Sequence, residues 1–180
     1  LIGDGLQQGT PLTCLEPAAC RYWGTAGLSC CRSLLSVKSF RQAAATDAPL
    51  FYSVIDQTMR GFIVATWGAW DEERVLRESL QDSTSPNAKI IQHEGQDIGV
   101  LLVEEEPSHF QVQQVYLLPP FQRQGVGTEI VSSLVKSARA VGKSVRLRVL
   151  KANPAKQFYE KLSFVVTEED NEFFQMESTV

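Results

Sequence analysis

Between Val112 and Ala138 a strand-like stretch, V-Q-Q-V-Y-L-L, meets two prolines, crosses a short polar loop, F-Q-R-Q-G-V-G, and enters T-E-I-V-S-S-L-V-K-S-A at once. No other part of the chain limits its fold as tightly. Pro119 and Pro120 carry no backbone donor and end ladder pairing where they stand. Ile130, Val131, Leu134, Val135 and Ala138 recur at helical spacing and give the next segment one apolar face. Between them, Gly125 and Gly127 let the main chain turn sharply and approach a ligand without a Cβ in the way. A strand is thus delivered, through a few residues, to the start of an amphipathic helix.

The amides of residues 124–128 sit at the positive end of that helix, where unpaired N–H groups favour anionic oxygens. Arg123 adds a mobile positive charge beside them. These are the parts of a diphosphate grip. The loop lacks the Lys-Ser/Thr of a nucleotide P-loop, and its glycines are not spaced G-x-G-x-x-G. The alternative is a plain strand-to-helix turn whose glycines serve geometry alone.

The rest of the pattern places this turn late in a mixed α/β chain. Residues 37–43 read as a first strand, and Thr46 or Asp47 caps a helix in which Leu50, Phe51, Val54, Ile55 and Met59 fall at helical spacing. A second helical stretch is expected over 62–67, and a third from Asp71, where three acids suit a helix N-terminus. Strands over 88–93 and 98–103 flank E-G-Q-D, a hairpin signal. Further strands are expected over 110–118, 144–150, 164–167 and 173–176, with helices over 127–141 and 154–162. The 180 residues fit one domain over 38–180, preceded by an extension over 1–37, expected to be poorly ordered and given no role.

Composition narrows the function by exclusion. The net charge is −4 with no Lys/Arg cluster, which argues against nucleic acid, and no apolar run is long enough for a membrane span. An acidic balance suits a basic, amine-bearing substrate. Cys14, Cys20, Cys30 and Cys31 form no pair of C-x-x-C motifs, and no histidine precedes His93, so no metal site is implied. Reduced thiols and a cytoplasmic location are the plainer expectation.

Q-R-Q-G-V-G at 122–127 resembles the Q/R-x-x-G-x-G/A signature of GNAT acetyltransferases, and V-Y-L-L-P-P-F before it is similar to that family's fourth strand. Downstream, N-P-A-K-Q-F-Y-E-K-L-S-F at 153–164 is similar to the family's N-x-A-x-x-F-Y-E-K-x-G-F element, with Ser163 in place of its glycine. F-R-Q-A-A-A-T-D-A, from Phe40, resembles the first strand and helix start, so the likeness covers about residues 37–178.

The resemblance implies an α/β (α+β mixed) GNAT-type acyl-CoA N-acyltransferase fold: a mixed, mostly antiparallel sheet flanked by helices and split near its fourth and fifth strands. Acetyl-CoA would be the co-substrate, its pyrophosphate on Gln122, Arg123, Gln124, Gly125, Val126, Gly127 and Thr128. Its pantetheine arm would pair with the backbone of Val115, Tyr116 and Leu117. Leu117 N–H would stabilise the oxyanion, and Tyr159 would act as general acid toward the sulfur. Asn153 would cap its helix or bond the pantetheine.

For the general base, Glu104 stands with Glu105, Glu106 and His109, and more distantly with Asp71, Glu72 and Glu73. Trp67 and Trp70 would wall a substrate pocket or fill core. Arg146 and Arg148 would pair with acids or hold an acidic substrate group. The implied reaction is acetyl transfer to a small-molecule or peptide primary amine by direct attack, without nucleic acid, membrane or metal, and with homodimerisation left open. The rival reading is a non-catalytic acyl-CoA-binding module.

Overall fold

The computed structural model describes residues 38–179; the expected extension over 1–37, with its four cysteines, lies outside the described residues. Seven strands, β1 (Lys38–Gln42), β2 (Ala88–His93), β3 (Gln96–Glu105), β4 (His109–Leu117), β5 (Ser144–Leu150), β6 (Phe164–Glu169) and β7 (Phe173–Ser178), form one sheet in the order β1-β2-β3-β4-β5-β7-β6. Four helices accompany it: α1 (Ala48–Trp67), α2 (Glu72–Ser83), α3 (Val126–Ala140) and α4 (Ala155–Glu160). Among the described residues no helix is long and apolar enough to cross a membrane.

Strand alternation sends successive side chains to opposite faces, and the core divides accordingly. Val100 and Leu102 of β3 join Ile90, Phe51 and Val54 under α1. Leu101 turns the other way, to Leu117, Val126 and Ile130 of the β4–α3 unit, and so does Ile98, the extra residue where the β2–β3 register shifts. Beyond the middle of the sheet, Val145, Leu147 and Val149 of β5 bury with Val131, Ala138, Tyr159, Phe164 and Met176. Helices α1 and α2 therefore cover one face, α3 and α4 the other.

Every strand pair is antiparallel except β4–β5, which run parallel and pair only from His109–Ser144 to Val112–Leu147. The register of β3 against β4 passes from Leu102–Gln114 to Val103–Val112, which leaves Gln113 as an extra residue. Such a bulge bends and twists its strand. It stands where β4 parts from β5, and both strands continue past that point with a gap between them.

Most elements lie within a few residues of their expected bounds. The helical stretches expected as separate over 46–59 and 62–67 are instead one helix, α1, with Gly61 on its exposed side. A single interior glycine costs about 1 kcal/mol. Burial of Ile55 and Met59 beside Val75, with Phe62 and Ile63 packed against them, outweighs that cost. The helix ends at Gly68, whose φ of 78° suits glycine and whose N–H donates to Val64 O. At the front of the domain Arg41 donates to both carboxylate oxygens of Asp47 (2.8 and 2.7 Å) and to Asp97 (2.6 Å). It ties β1, the turn before α1 and β3 together, and its hydrogen bonds, and then its charge, lower the proton affinity of both acids.

Ser163, standing where the resembled element has glycine, adopts φ 66°. A left-handed backbone costs a residue with a Cβ about 1–2 kcal/mol, partly offset in the unfolded chain, where glycine has more freedom to lose. Ser163→Gly should therefore stabilise the domain by about 0.5–1 kcal/mol, read as a higher urea midpoint at unchanged slope. A lower midpoint would count against the left-handed turn.

Candidate active site

The turn after β4 is braced by its own side chains. Leu118 N–H still donates to Ile98 O, and Phe121 and Gln122 N–H then close a single 3-10 turn on Leu118 and Pro119. The Gln122 amide donates to Leu117 O (2.8 Å) and the Gln124 amide to Pro120 O (2.7 Å). Arg123 and Gly125 take φ of 59° and 83°, reversing the chain into α3. The first bond of that helix runs from Glu129 N–H to Gly125 O, and no side chain caps it. As a result the amides of residues 123–128 meet no acceptor among the described residues. A Cβ built on Gly127 would lie 3.6 Å from Phe158 and 3.8 Å from Leu117, ordinary contact distances.

The exposed edge of β4 follows from register. Gly99 pairs with Leu117, and Leu118 donates to Ile98 O, so Leu117 belongs to a pair that shares no hydrogen bonds with β3. Its N–H and C=O, and those of Val115 two residues earlier, point away from β3 toward the gap beside β5. Tyr116 lies between them and turns its peptide groups to β3; a Cβ on Gly99 would meet Tyr116 O at 2.2 Å. Of the three residues whose backbone was expected to meet a pantetheine arm, Val115 and Leu117 turn peptide groups to the gap and Tyr116 does not. Tyr116 is instead among the residues that line the cleft.

Loop, gap and helices α1 and α2 enclose one cleft of about 860 Å³. Gln122, Arg123, Gly125, Gly127 and Thr128 line one end, whereas Val126 is buried in the core and the Gln124 side chain is folded onto the loop. Tyr116, Leu117, Asn153, Phe158 and Tyr159 line the middle. Asn153 accepts from Ala155 N–H at 2.9 Å, so it caps α4. Tyr159 is held edge-on by Phe158 and Phe164, with ring centroids 5.0 and 5.6 Å away. Burial, and then the neighbouring Tyr116, push its phenol well above the ordinary value. Burial and the charge of Asp82 push Tyr116 up to about 12.

The far end carries residues that the sequence reading missed. Asp82, at the end of α2, accepts from the Gln114 amide at 2.6 Å, and both line the cleft. Desolvation, and then Glu78 and Glu104, raise the Asp82 carboxyl above its usual range against the opposing Gln114 bond. Gln114 Oε1 is buried without a partner. Nothing in the helical period sets Asp82 apart from an ordinary solvated acid; only the bulge that turns Gln114 toward it reveals the pair.

The acids expected from the sequence lie elsewhere. Glu104, Glu105, Glu106, His109, Asp71, Glu72 and Glu73 are absent from the cleft lining. Glu104 accepts from Gln113 (2.8 Å), Glu105 pairs with Lys143 (2.7 Å), Asp71 caps α2 through Arg74 N–H, and Glu72 accepts from Tyr52 (3.2 Å). Trp67 lines the cleft, 6.0 Å from Phe173, whereas Trp70 lies outside it beneath Arg60 at 4.5 Å. Arg146 is consumed by Glu177 (3.0 Å); Arg148 faces the cleft over the Phe173 ring at 4.0 Å, with Asp170 3.5 Å away. Among the described residues no group of three or more His, Cys, Asp or Glu is placed to hold a metal ion.

A helix-flanked sheet split beside a strand-to-helix loop of unpaired amides is the architecture of an acyl-CoA-type transferase. The family comparison agrees: the model of the acetyltransferase (GNAT) domain matches residues 53–177, and the chain belongs to that family and is an acyltransferase. Solved structures share the fold. The PaiA N-acetyltransferase of Thermoplasma acidophilum, crystallised with coenzyme A, superposes with a TM-score of 0.60 at 19% identity, covering 79% of this chain and 99% of that one. An acetyltransferase of Thermus thermophilus gives 0.63 at 17% over 81% and 100% of the two chains. The ribosomal-protein-S18-alanine N-acetyltransferase of Escherichia coli gives 0.56 at 15% over 79% and 96%. No curated protein matches the chain.

Proposed function

We propose that the protein moves an acetyl group from acetyl-CoA to a primary amine by direct attack, with no covalent enzyme intermediate. One observation carries the reading: a single cleft runs from the unpaired amides of 123–128, along the open edge of β4, to the Tyr159 side chain. The coenzyme A bound by the Thermoplasma relative supports it as a likeness of fold.

In this reading the loop amides and Arg123 hold the pyrophosphate, as unpaired donors at a helix N-terminus do. Val115 and Leu117 offer main-chain groups to the pantetheine arm, which docks as an added strand. The amine attacks the thioester carbonyl, and Leu117 N–H faces the oxygen that gains charge. As the C–S bond breaks, Tyr159 donates to the departing thiolate. Its raised proton affinity keeps the phenol a donor through any working pH. A free thiolate, whose conjugate acid titrates near 8.5, could not take that proton outright, so donation accompanies bond breaking. The site faces reduced, cytoplasmic chemistry in this proposal.

An amine panel with acetyl-CoA, read as thiol release, tests the activity; binding without turnover on any amine would make the protein a binding module. Tyr159→Phe should lower kcat about 10²-fold with acetyl-CoA affinity kept, because Phe158 and Phe164 still hold the ring. An unchanged kcat would remove Tyr159 from the chemistry. Gly127→Glu should abolish coenzyme A binding in calorimetry, since it sets a carboxylate among phosphate-seeking amides, while Gly127→Ala, whose Cβ finds room, should fold normally. Full affinity in Gly127→Glu would overturn the pyrophosphate site.

A further inference from the structure

We infer that Asp82, held by Gln114, receives the acceptor's ammonium group and takes its proton, so that the acceptor is a primary amine that enters as a cation. The inference rests on the acetyl-transfer reading and deepens it.

The geometry begins with the bulge at Gln113, which leaves Gln114 facing α2 where β4 and β5 part. The Gln114 Nε2 group donates to Asp82 Oδ2 at 2.6 Å. A carboxylate can only accept, so this bond fixes which way the amide points. Gln114 Oε1 is then committed to the other direction, buried and unpaired. A buried acceptor without a donor is costly. Asp82 Oδ1 likewise has no donor among the described residues. Asp82 Oδ1 is thus an unfilled acceptor on a residue that lines the same cleft as Tyr159. An alkyl ammonium brings the carboxylate both an N–H donor and an opposite charge, whereas a hydroxyl brings a donor alone.

The surroundings bias the carboxylate toward proton uptake. Along α2, Glu78 lines the cleft one turn away, with Arg74 at 3.4 Å as its own partner. From β3, Glu104 adds negative charge, and from β4 Tyr116 presents a neutral phenol. The α1 lining (Ile55, Thr58, Met59, Phe62, Ile63 and Trp67) carries no charge. Arg148 of β5 and Arg123 of the loop also line the cleft, Arg148 with Asp170 3.5 Å from it. Partial burial and the two glutamates therefore raise the Asp82 carboxyl, which brings it closer to the ammonium it must deprotonate.

The proton balance closes with the groups present. The ammonium gives one proton to Asp82, which passes it to solvent after turnover. The neutral nitrogen forms its bond to the carbonyl carbon, and the C–S bond breaks. The sulfur takes the Tyr159 proton, and the second proton leaving nitrogen restores the phenol.

Asp82→Asn tests the assignment. Asn retains an acceptor for Gln114 and removes a partly buried charge, so the variant should fold at least as stably at neutral pH. With alkylamines its kcat should fall about 10²-fold at unchanged acetyl-CoA affinity, and the acid limb of wild-type kcat/KM should disappear. With hydroxylamine, already neutral in the assay, the variant should approach the wild-type rate. An equal loss with both nucleophiles would make Asp82 structural, and no loss with alkylamines would place the base elsewhere; either result overturns the inference. A wild-type protein inert toward every amine would instead remove acetyl transfer itself, and the inference with it.

Discussion

The parallel pairing of β4 with β5 stops at Val112–Leu147, and the rest of the site depends on that interruption. A continuous ladder would satisfy the Val115 and Leu117 peptide groups internally and close the sheet. Because the strands part, Val115 and the Leu117 N–H turn main-chain groups without a strand partner to the wall of a cleft, while Leu117 O is taken by Gln122. The parting has a local cause in the bulge at Gln113, which bends β4, and a remote one in Pro119 and Pro120, which carry the chain out of the sheet. The bulge and the prolines together produce the opening and the turn that delivers α3.

The loop then converts that opening into a directional site. Gln122 and Gln124 spend their amides on Leu117 O and Pro120 O, so side chains brace the turn while its backbone donors stay unpaired. This division of labour explains why glycines are placed as they are. Gly125 supplies the positive φ, and Gly127 leaves the helix start bare next to Leu117 and Phe158. In the reading proposed, recognition at this end is main-chain recognition, which tolerates wide sequence change. Relatives under 20% identical that keep the fold fit that economy.

Much of this was legible in the sequence because local rules govern it. Prolines, glycines and a helical period marked the β4–α3 unit, and each strand found its place by alternation. What escaped were features set across the sheet. The peptide orientation of Tyr116 depends on which pairs in the β3–β4 ladder exchange hydrogen bonds, and a bulge elsewhere in the strand shifts that count. The continuity of α1 through Gly61 was decided by packing against Val75 and Leu150, which no window of α1 contains. Glu104 looked catalytic by sitting in an acidic run at a strand end, yet the cleft opens on the far side of the bulge. Asp82 and Gln114 lie 32 residues apart in the chain, and only the tertiary fold makes them one pair.

The two ends of the cleft are built from opposite electrostatics, and net charge reveals neither. At one end, amide dipoles and Arg123 create positive potential without any buried formal charge. At the other, Asp82 is a formal charge held in a partly desolvated place. The sign of its effect on folding follows from its raised proton affinity. The group binds its proton more tightly in the folded than in the unfolded chain, so it favours folding at pH below the unfolded value and opposes it as pH rises through the folded one. The Gln114 bond favours the charged form and offsets part of that effect, and an uncharged amide would also accept from Gln114, though more weakly. The carboxylate's presence is better explained by a ligand that brings positive charge to it. In the reading proposed, main-chain donors serve the anion, and the partly buried carboxylate is left for a cation.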